Sequence, residues 1–352
     1  MEVYTILFNR LLSESAKQQA SDLHLSVGSI PIIRKDGRLI QLEGEKIIEQ
    51  EVLVNITNSF LDEREKKVLE EKRELTTVKI LGGKFRFKIN IYYQRKLLAV
   101  SLRLISEALR DLPSLNLPAI VANFTKLASG LIIISGPYGG GKTTTVGALI
   151  ENINNQQKKR ILTLGKPIEV LFVSKQSVIE QREVGVDVAS FAQGLQYSQH
   201  EDIDILSVSN LGNELNEAVP LLLEIASSNC LVFMELNADN VIRVIEKILG
   251  CFPTNKIEAS RSLLADVLNG VIAQKLLPKV GGGMAPAVEI VTVTSAVRSV
   301  IREGKIQQLQ TVMQTSADAG MVSMDKALAI LVQGGQVTQE DAAANYHNKS
   351  DV

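Results

Sequence analysis

The stretch Leu131-Ile132-Ile133-Ile134-Ser135-Gly136-Pro137-Tyr138-Gly139-Gly140-Gly141-Lys142-Thr143-Thr144 decides the fold class of this chain. Its opening is apolar without a break, as in a parallel strand covered on both faces. From Gly136 it fits G-x-x-x-x-G-K-[ST], and a helical run follows. Glycines in such a loop let consecutive N–H groups turn inward around a phosphate, and the helix N-terminus adds the positive end of its dipole. A chance glycine-rich turn would lack the strand before and the helix after. The expected nucleotide contacts are Gly136, Gly139, Gly140, Gly141, Lys142, Thr143 and Thr144, with ATP or ADP as ligand. Lys142 is placed to reach the β- and γ-phosphates, and the Thr143 hydroxyl to take a Mg²⁺ position.

Around this loop, strand and helix alternate. Strands are predicted over 131–135, 160–164, 177–181, 203–208 and 231–235, so a doubly wound α/β core is expected. The C-terminal part reads as helical, over 256–274, 295–302 and 323–333, with a loose polar tail from 346. Upstream the pattern differs. A helix is predicted over 6–19, a hairpin over 30–42 turning at Asp36-Gly37, one amphipathic helix over 52–74, and strands over 78–80, 84–93 and 97–104. The expected domains are 1–112, a small α+β module; 113–118, a proline-bounded linker; and 119–352, the nucleotide-binding core with C-terminal helices.

Composition excludes several function classes. The chain of 352 residues carries a formal net charge of −1 and is 4% aromatic with no Trp, so neither a basic footprint nor stacking platforms point to nucleic acid. No apolar run is long enough to span a bilayer, and the first ten residues lack the pattern of a signal peptide. Cys230 and Cys251 lie far apart in sequence and read as small apolar residues. A cytoplasmic protein is expected.

Further motifs carry a resemblance. Ala20-Ser21-Asp22-Leu23-His24-Leu25 is similar to the "ASDLHL" opening of the secretion and pilus ATPases. Gln181-Arg182-Glu183-Val184 and Val280-Gly281-Gly282-Gly283 are similar to signatures of the type IV pilus retraction motors. Ala296-Val297-Arg298-Ser299-Val300-Ile301-Arg302-Glu303 resembles their "AIRNLIRE" segment, which is tied to retraction rather than to ATP binding. The resemblance implies a PAS-like domain followed by a RecA-like P-loop core, assembled as a homo- or hetero-hexamer. It also implies a pilus inner-membrane platform protein and a paralogous pilus ATPase as partners, at the inner-membrane base of the pilus. Arginines of one protomer would act on the neighbour's nucleotide, and the matching positions are Arg86 and Arg103. Lys88 stands where the family has a further arginine.

Three catalytic boxes of that family are altered. The acidic box "IEDPIE" reads Leu164-Gly165-Lys166-Pro167-Ile168-Glu169. The Walker B ending "GE" reads Ser209-Asn210, with Asp204 at the opposite end of the strand. The histidine box, "GH" and "LHT", reads Asn229-Cys230 and Leu236-Asn237-Ala238. An amide such as Asn210 holds a water but cannot take its proton, so impaired or absent hydrolysis and a weakened hold on Mg²⁺ are expected. Two catalytic candidates stand, Glu235 and Glu169. Glu235 is either a substitute base or an ordinary solvated or salt-bridged carboxylate. Lys166 either pairs with phosphate or points into solvent. The function expected is a nucleotide-binding ring subunit of the retraction machinery. A slow retraction ATPase and a non-catalytic scaffold subunit are the alternatives.

Overall fold

The computed structural model describes residues 2–83, 85–105 and 109–346; the side chains of residues 2, 3 and 317 are outside this description. The chain divides into two compact units, Met1–Ala108 and Leu109–Val352.

The first unit is built on an antiparallel sheet of β1 (Asp22–Ser26), β2 (Ile32–Lys35), β3 (Arg38–Gln41), β4 (Glu74–Leu81), β5 (Phe85–Gln94) and β6 (Leu97–Ile105). Their order is β3-β2-β1-β6-β5-β4. Asp36 and Gly37 both hold positive φ at the tip of the β2–β3 hairpin, the twist that such a tight turn demands. Three helices, Glu2–Lys17, Gln50–Phe60 and Glu63–Lys72, accompany the sheet. The last two replace the single helix expected over 52–74. Asp62 accepts from the Glu65 amide while the Glu65 side chain accepts from the Asp62 amide. That reciprocal cap starts a new helix. Lys84, expected to open a strand, lies outside the described residues, as do 347–352 of the expected tail.

The second unit is a RecA-like α/β core. In β7 (Gly130–Ser135), Leu131 and Ile133 join one apolar cluster, and Ile132 and Ile134 join another; all four are at 0% exposure. A strand buried on both alternating faces needs a layer on each side. The same split occurs in β8 (Arg160–Gly165), β10 (Ile205–Ser209) and β11 (Leu231–Leu236). With β9 (Val178–Glu183), β12 (Leu268–Pro278) and β13 (Met284–Thr292), the order is β13-β12-β7-β11-β10-β8-β9. Only β13 pairs antiparallel in this sheet.

Two expectations are corrected here. The helix predicted over 256–274 is a helix only at Ile257–Val267, after which β12 begins. From Leu268 the chain is buried on both faces between β7 and β13, so it carries no helical period. The expected linker 113–118 packs within the second unit: Leu112 is buried, and Leu115 and Leu117 lie against the cluster around Ile132.

Candidate nucleotide site

The glycine-rich loop leaves β7 and enters the helix Lys142–Gln156. Gly141 stands at the head of that helix with φ +85°, a conformation that glycine adopts without strain. Gly136 is required by space as well: a Cβ there would lie 2.2 Å from the main-chain oxygen of Gln274. Lys142 Nζ donates to the carbonyl oxygens of Gly136, at 3.0 Å, and Pro137, at 2.8 Å. Its ammonium is therefore folded over the loop.

Thr143, in the first turn, donates from Oγ1 to Glu235 at 3.0 Å. Glu235 sits near the end of β11, in register with Ile134 of β7, and is 5% exposed. It is therefore not an exposed surface carboxylate. Thr143, Glu235, Glu169, Thr163, Ser207 and Ser209 are among the residues around a cavity of about 40 Å³, room for a few waters. Glu169 is held there by the retraction-like motif of β9. Gln181 accepts from the Phe172 amide and donates to the Val170 carbonyl, and Glu183 accepts from the Ile168 amide.

At the ends of β8 and β10 the side chains have found partners of their own. Gly165 and Ser209 are register partners, and a Cβ on Gly165 would meet Ser209 Oγ at 3.1 Å and the Pro167 carbonyl at 3.2 Å. Asn210 holds φ +58°, a left-handed conformation that asparagine tolerates better than most residues, and donates to Glu169 at 2.9 Å. Lys166 donates to Glu214 at 2.7 Å and is not among the residues around the cavity. Burial raises the Glu214 carboxyl, but the Lys166 ammonium and the Phe191 amide outweigh it and hold the carboxyl below its ordinary value. Asp204 lies at the other end of β10, on Lys159 and the Arg160 amide.

Thr143, Glu235 and Glu169 offer oxygen donors alone, the kind a hard divalent cation takes. These are the residues that would hold a Mg²⁺ ion: Thr143, with Glu235 from β11 and Glu169 from the segment after β8. Among the described residues no group of three or more His, Cys, Asp or Glu is arranged to hold a metal ion.

Other predicted residues are distributed elsewhere. Arg103 makes a two-pronged pair with Asp22, through Nε at 2.8 Å and Nη2 at 3.1 Å, inside the first unit. Arg86 stands on β5 opposite Ile105. The segment resembling "AIRNLIRE" forms the helix Ser295–Glu303, with Val297, Val300 and Ile301 buried. Arg298 caps the helix Ile257–Val267 by donating to the carbonyls of Ala265 and Asp266, and Arg302 pairs with Asp266. Ser299 and Lys305 both contact Glu303.

Two site residues escaped the sequence reading. Glu214 has no local signature beyond being a carboxylate near a helix start. Gln274 does have one: a lone amide in the apolar run Val271-Ile272-Ala273-Gln274, which must find partners once buried. Its side chain, 2% exposed, donates to the Gly140 carbonyl at 2.6 Å and accepts from Thr145 Oγ1 at 2.9 Å.

Residues 2–285 match the family described as Type II/IV secretion system protein. The chain is 33% identical over 332 residues to the type IV pilus retractation ATPase PilT of Pseudomonas aeruginosa, covering 94% of this chain and 96% of that protein. It is 32% identical over 350 residues to the twitching motility protein of Neisseria gonorrhoeae, covering 99% and 92%. The crystal structure of the pilus retraction motor PilT with bound ADP superposes with a TM-score of 0.81 at 33% identity, over 98% of both chains. The chain belongs to the type II/IV secretion system protein family, on its PilT-like branch of type IV pilus retraction ATPases.

Proposed function

We propose that this protein is a nucleotide-binding ring subunit of the machinery that retracts type IV pili, with ATP hydrolysis impaired or absent. The carrying observation is how the ends of β8 and β10 are partnered: Gly165 lies beside Ser209, Lys166 pairs with Glu214, and Asn210 binds Glu169. Where the family has Glu and Gly at the Gly165–Ser209 pair, this chain has Gly and Ser, so the large and small side chains have changed places. The acids have been replaced by a packed and hydrogen-bonded alternative.

Nucleotide binding needs less. The loop amides and Lys142 meet the phosphates, with Lys142 leaving the carbonyls of Gly136 and Pro137 for charge-assisted contacts. ADP is the ligand of the similar PilT crystal structure. Mg²⁺, held at Thr143, would neutralise phosphate charge, and with fewer carboxylates in reach its removal should weaken binding less than in an intact motor. Arg86 of a neighbouring protomer would complete the site within a homo- or hetero-hexamer. A paralogous pilus ATPase and the inner-membrane platform protein are the partners, at the cytoplasmic base of the pilus. Among the described residues no helix is long and apolar enough to cross a membrane.

A second reading is a slow ATPase, and the contact between Thr143 and Glu235 favours it. A carboxylate there can accept the proton of a water, a role worth about 10²–10⁴-fold in rate, which Asn210 cannot fill. Calorimetry with ADP and with ATP, with and without Mg²⁺, tests the leading reading together with a mass measurement. Binding that survives chelation and a nucleotide-supported ring are expected; no binding and a strict monomer would overturn it.

A further inference from the structure

We infer that Gln274 is the positioning residue of the phosphate-binding loop, a strut from the neighbouring strand that fixes the loop's shape and thereby its phosphate affinity. The inference rests on the nucleotide-binding reading and names a residue that reading does not need.

The register brings it there. β12 runs parallel to β7, with Ile272 opposite Ile134 and Ala273 opposite Ser135, so Gln274 arrives where the partner strand turns into Gly136. Three of the loop's glycines are shaped around it. A Cβ on Gly136 would lie 2.2 Å from the Gln274 carbonyl oxygen, one on Gly140 would lie 3.1 Å from the same oxygen, and one on Gly141 would lie 2.8 Å from Nε2. The glycines at these positions therefore serve close packing on Gln274 as well as the turn itself.

The side chain uses both ends of its amide. Nε2 donates to the Gly140 carbonyl, and Oε1 accepts from Thr145 Oγ1. Gly140 precedes the helix and Thr145 lies in its first turn, on either side of Lys142 and Thr143. One rigid amide thus spans the two residues expected to meet phosphate and metal. Anchoring the Gly140 carbonyl also sets the plane of the peptide that carries the Gly141 N–H. Burial makes the arrangement exacting, because a buried partner left without its hydrogen bond loses its solvation as well. An amide of this length donates at one end and accepts at the other without needing a particular protonation state.

The test uses full-length protein and ADP. Gln274→Met keeps the length and removes both hydrogen bonds; Thr145→Val removes one partner and keeps the shape. ADP affinity is measured by calorimetry well below the unfolding midpoint of each variant, beside Lys142→Ala. Gln274→Met should weaken ADP binding by about tenfold and Thr145→Val by about threefold. The Gln274→Met effect should shrink in the Lys142→Ala background, since both act on the same phosphates. A merely structural glutamine would lower the unfolding midpoint without changing affinity, and that result overturns the inference. So does an unchanged Thr145→Val protein if Gln274→Met fails to fold. Wild-type protein that binds no ADP overturns the nucleotide-binding reading and this inference together; tight binding by wild type and Gln274→Met alike overturns the inference alone.

Discussion

At the glycine-rich end of the site, hydrogen bonds from outside hold the loop and the start of its helix: Gln274 grips the Gly140 carbonyl and the Thr145 hydroxyl, and Glu235 takes the Thr143 hydroxyl. At the ends of β8 and β10, the side chains bind one another instead, Lys166 to Glu214 and Asn210 to Glu169. On the proposed reading, the first arrangement keeps a surface for phosphate, and the second ties up side chains that would otherwise face metal and water. An unpaired buried charge there would destabilise the core, and both charged side chains at these strand ends, Lys166 and Glu169, have partners instead.

The largest effect should separate the two ends by their lysines. Lys142→Ala is expected to weaken nucleotide binding by about 1.5–3 kcal/mol, the range for a hydrogen bond to a charged group. Lys166→Ala should leave affinity nearly unchanged, because its ammonium is already paired with Glu214. Equal losses in a nucleotide titration would break the comparison.

Reinstating the acids comes next. Gly165→Glu, Lys166→Asp and Asn210→Glu together should destabilise the protein by about 1–3 kcal/mol through overpacking, since Ser209 Oγ occupies the space at Gly165 and position 210 holds a positive φ. Adding Ser209→Gly should recover part of that loss in a denaturant titration. Equal midpoints with and without Ser209→Gly would show that the Gly165–Ser209 fit has no energetic weight.

The sequence carried the first end well and the second poorly. Continuous apolar residues, then glycines, then Lys142 and Thr143 announce strand, loop and helix in a single stretch, because each step has its own local physics. The partners that hold the loop come from far away in the chain: Gln274 lies on a strand that reads as helix, and Glu235 on a strand separated from the loop by three others in sequence. Neither position shows its pairing until strand register is known. The break at Asp62 was visible in principle, since Asp62 and Glu65 form a capping-box pattern within the charged stretch. The residues at the three boxes were readable, but the juxtaposition of Gly165 and Ser209 appears only when β8 and β10 lie side by side.

Two smaller effects sharpen the contrast with residues outside the phosphate chemistry. Burial pushes the Cys230 thiol up to about 12, so alkylation of the native protein at pH 8 should spare Cys230 until unfolding. Fast native labelling would contradict its place in the core. In the first unit, burial lowers the His24 imidazole below 6.5, against the opposing pull of Asp22. The unfolded chain then takes up the proton first, so stability falls as pH drops through about 6.5 and levels off below the folded value. His24→Gln should flatten that slope in melts between pH 5 and 7, the smallest of these effects.

Turnover is the most direct measurement of the central claim. Purified full-length protein is assayed for ATP hydrolysis with Mg²⁺ beside Lys142→Ala and Glu235→Gln, at concentrations where calorimetry shows the site filled. Turnover near background despite a filled site is the predicted result, with any residue of activity abolished by Glu235→Gln. Motor-like turnover that depends on Lys142 would contradict it.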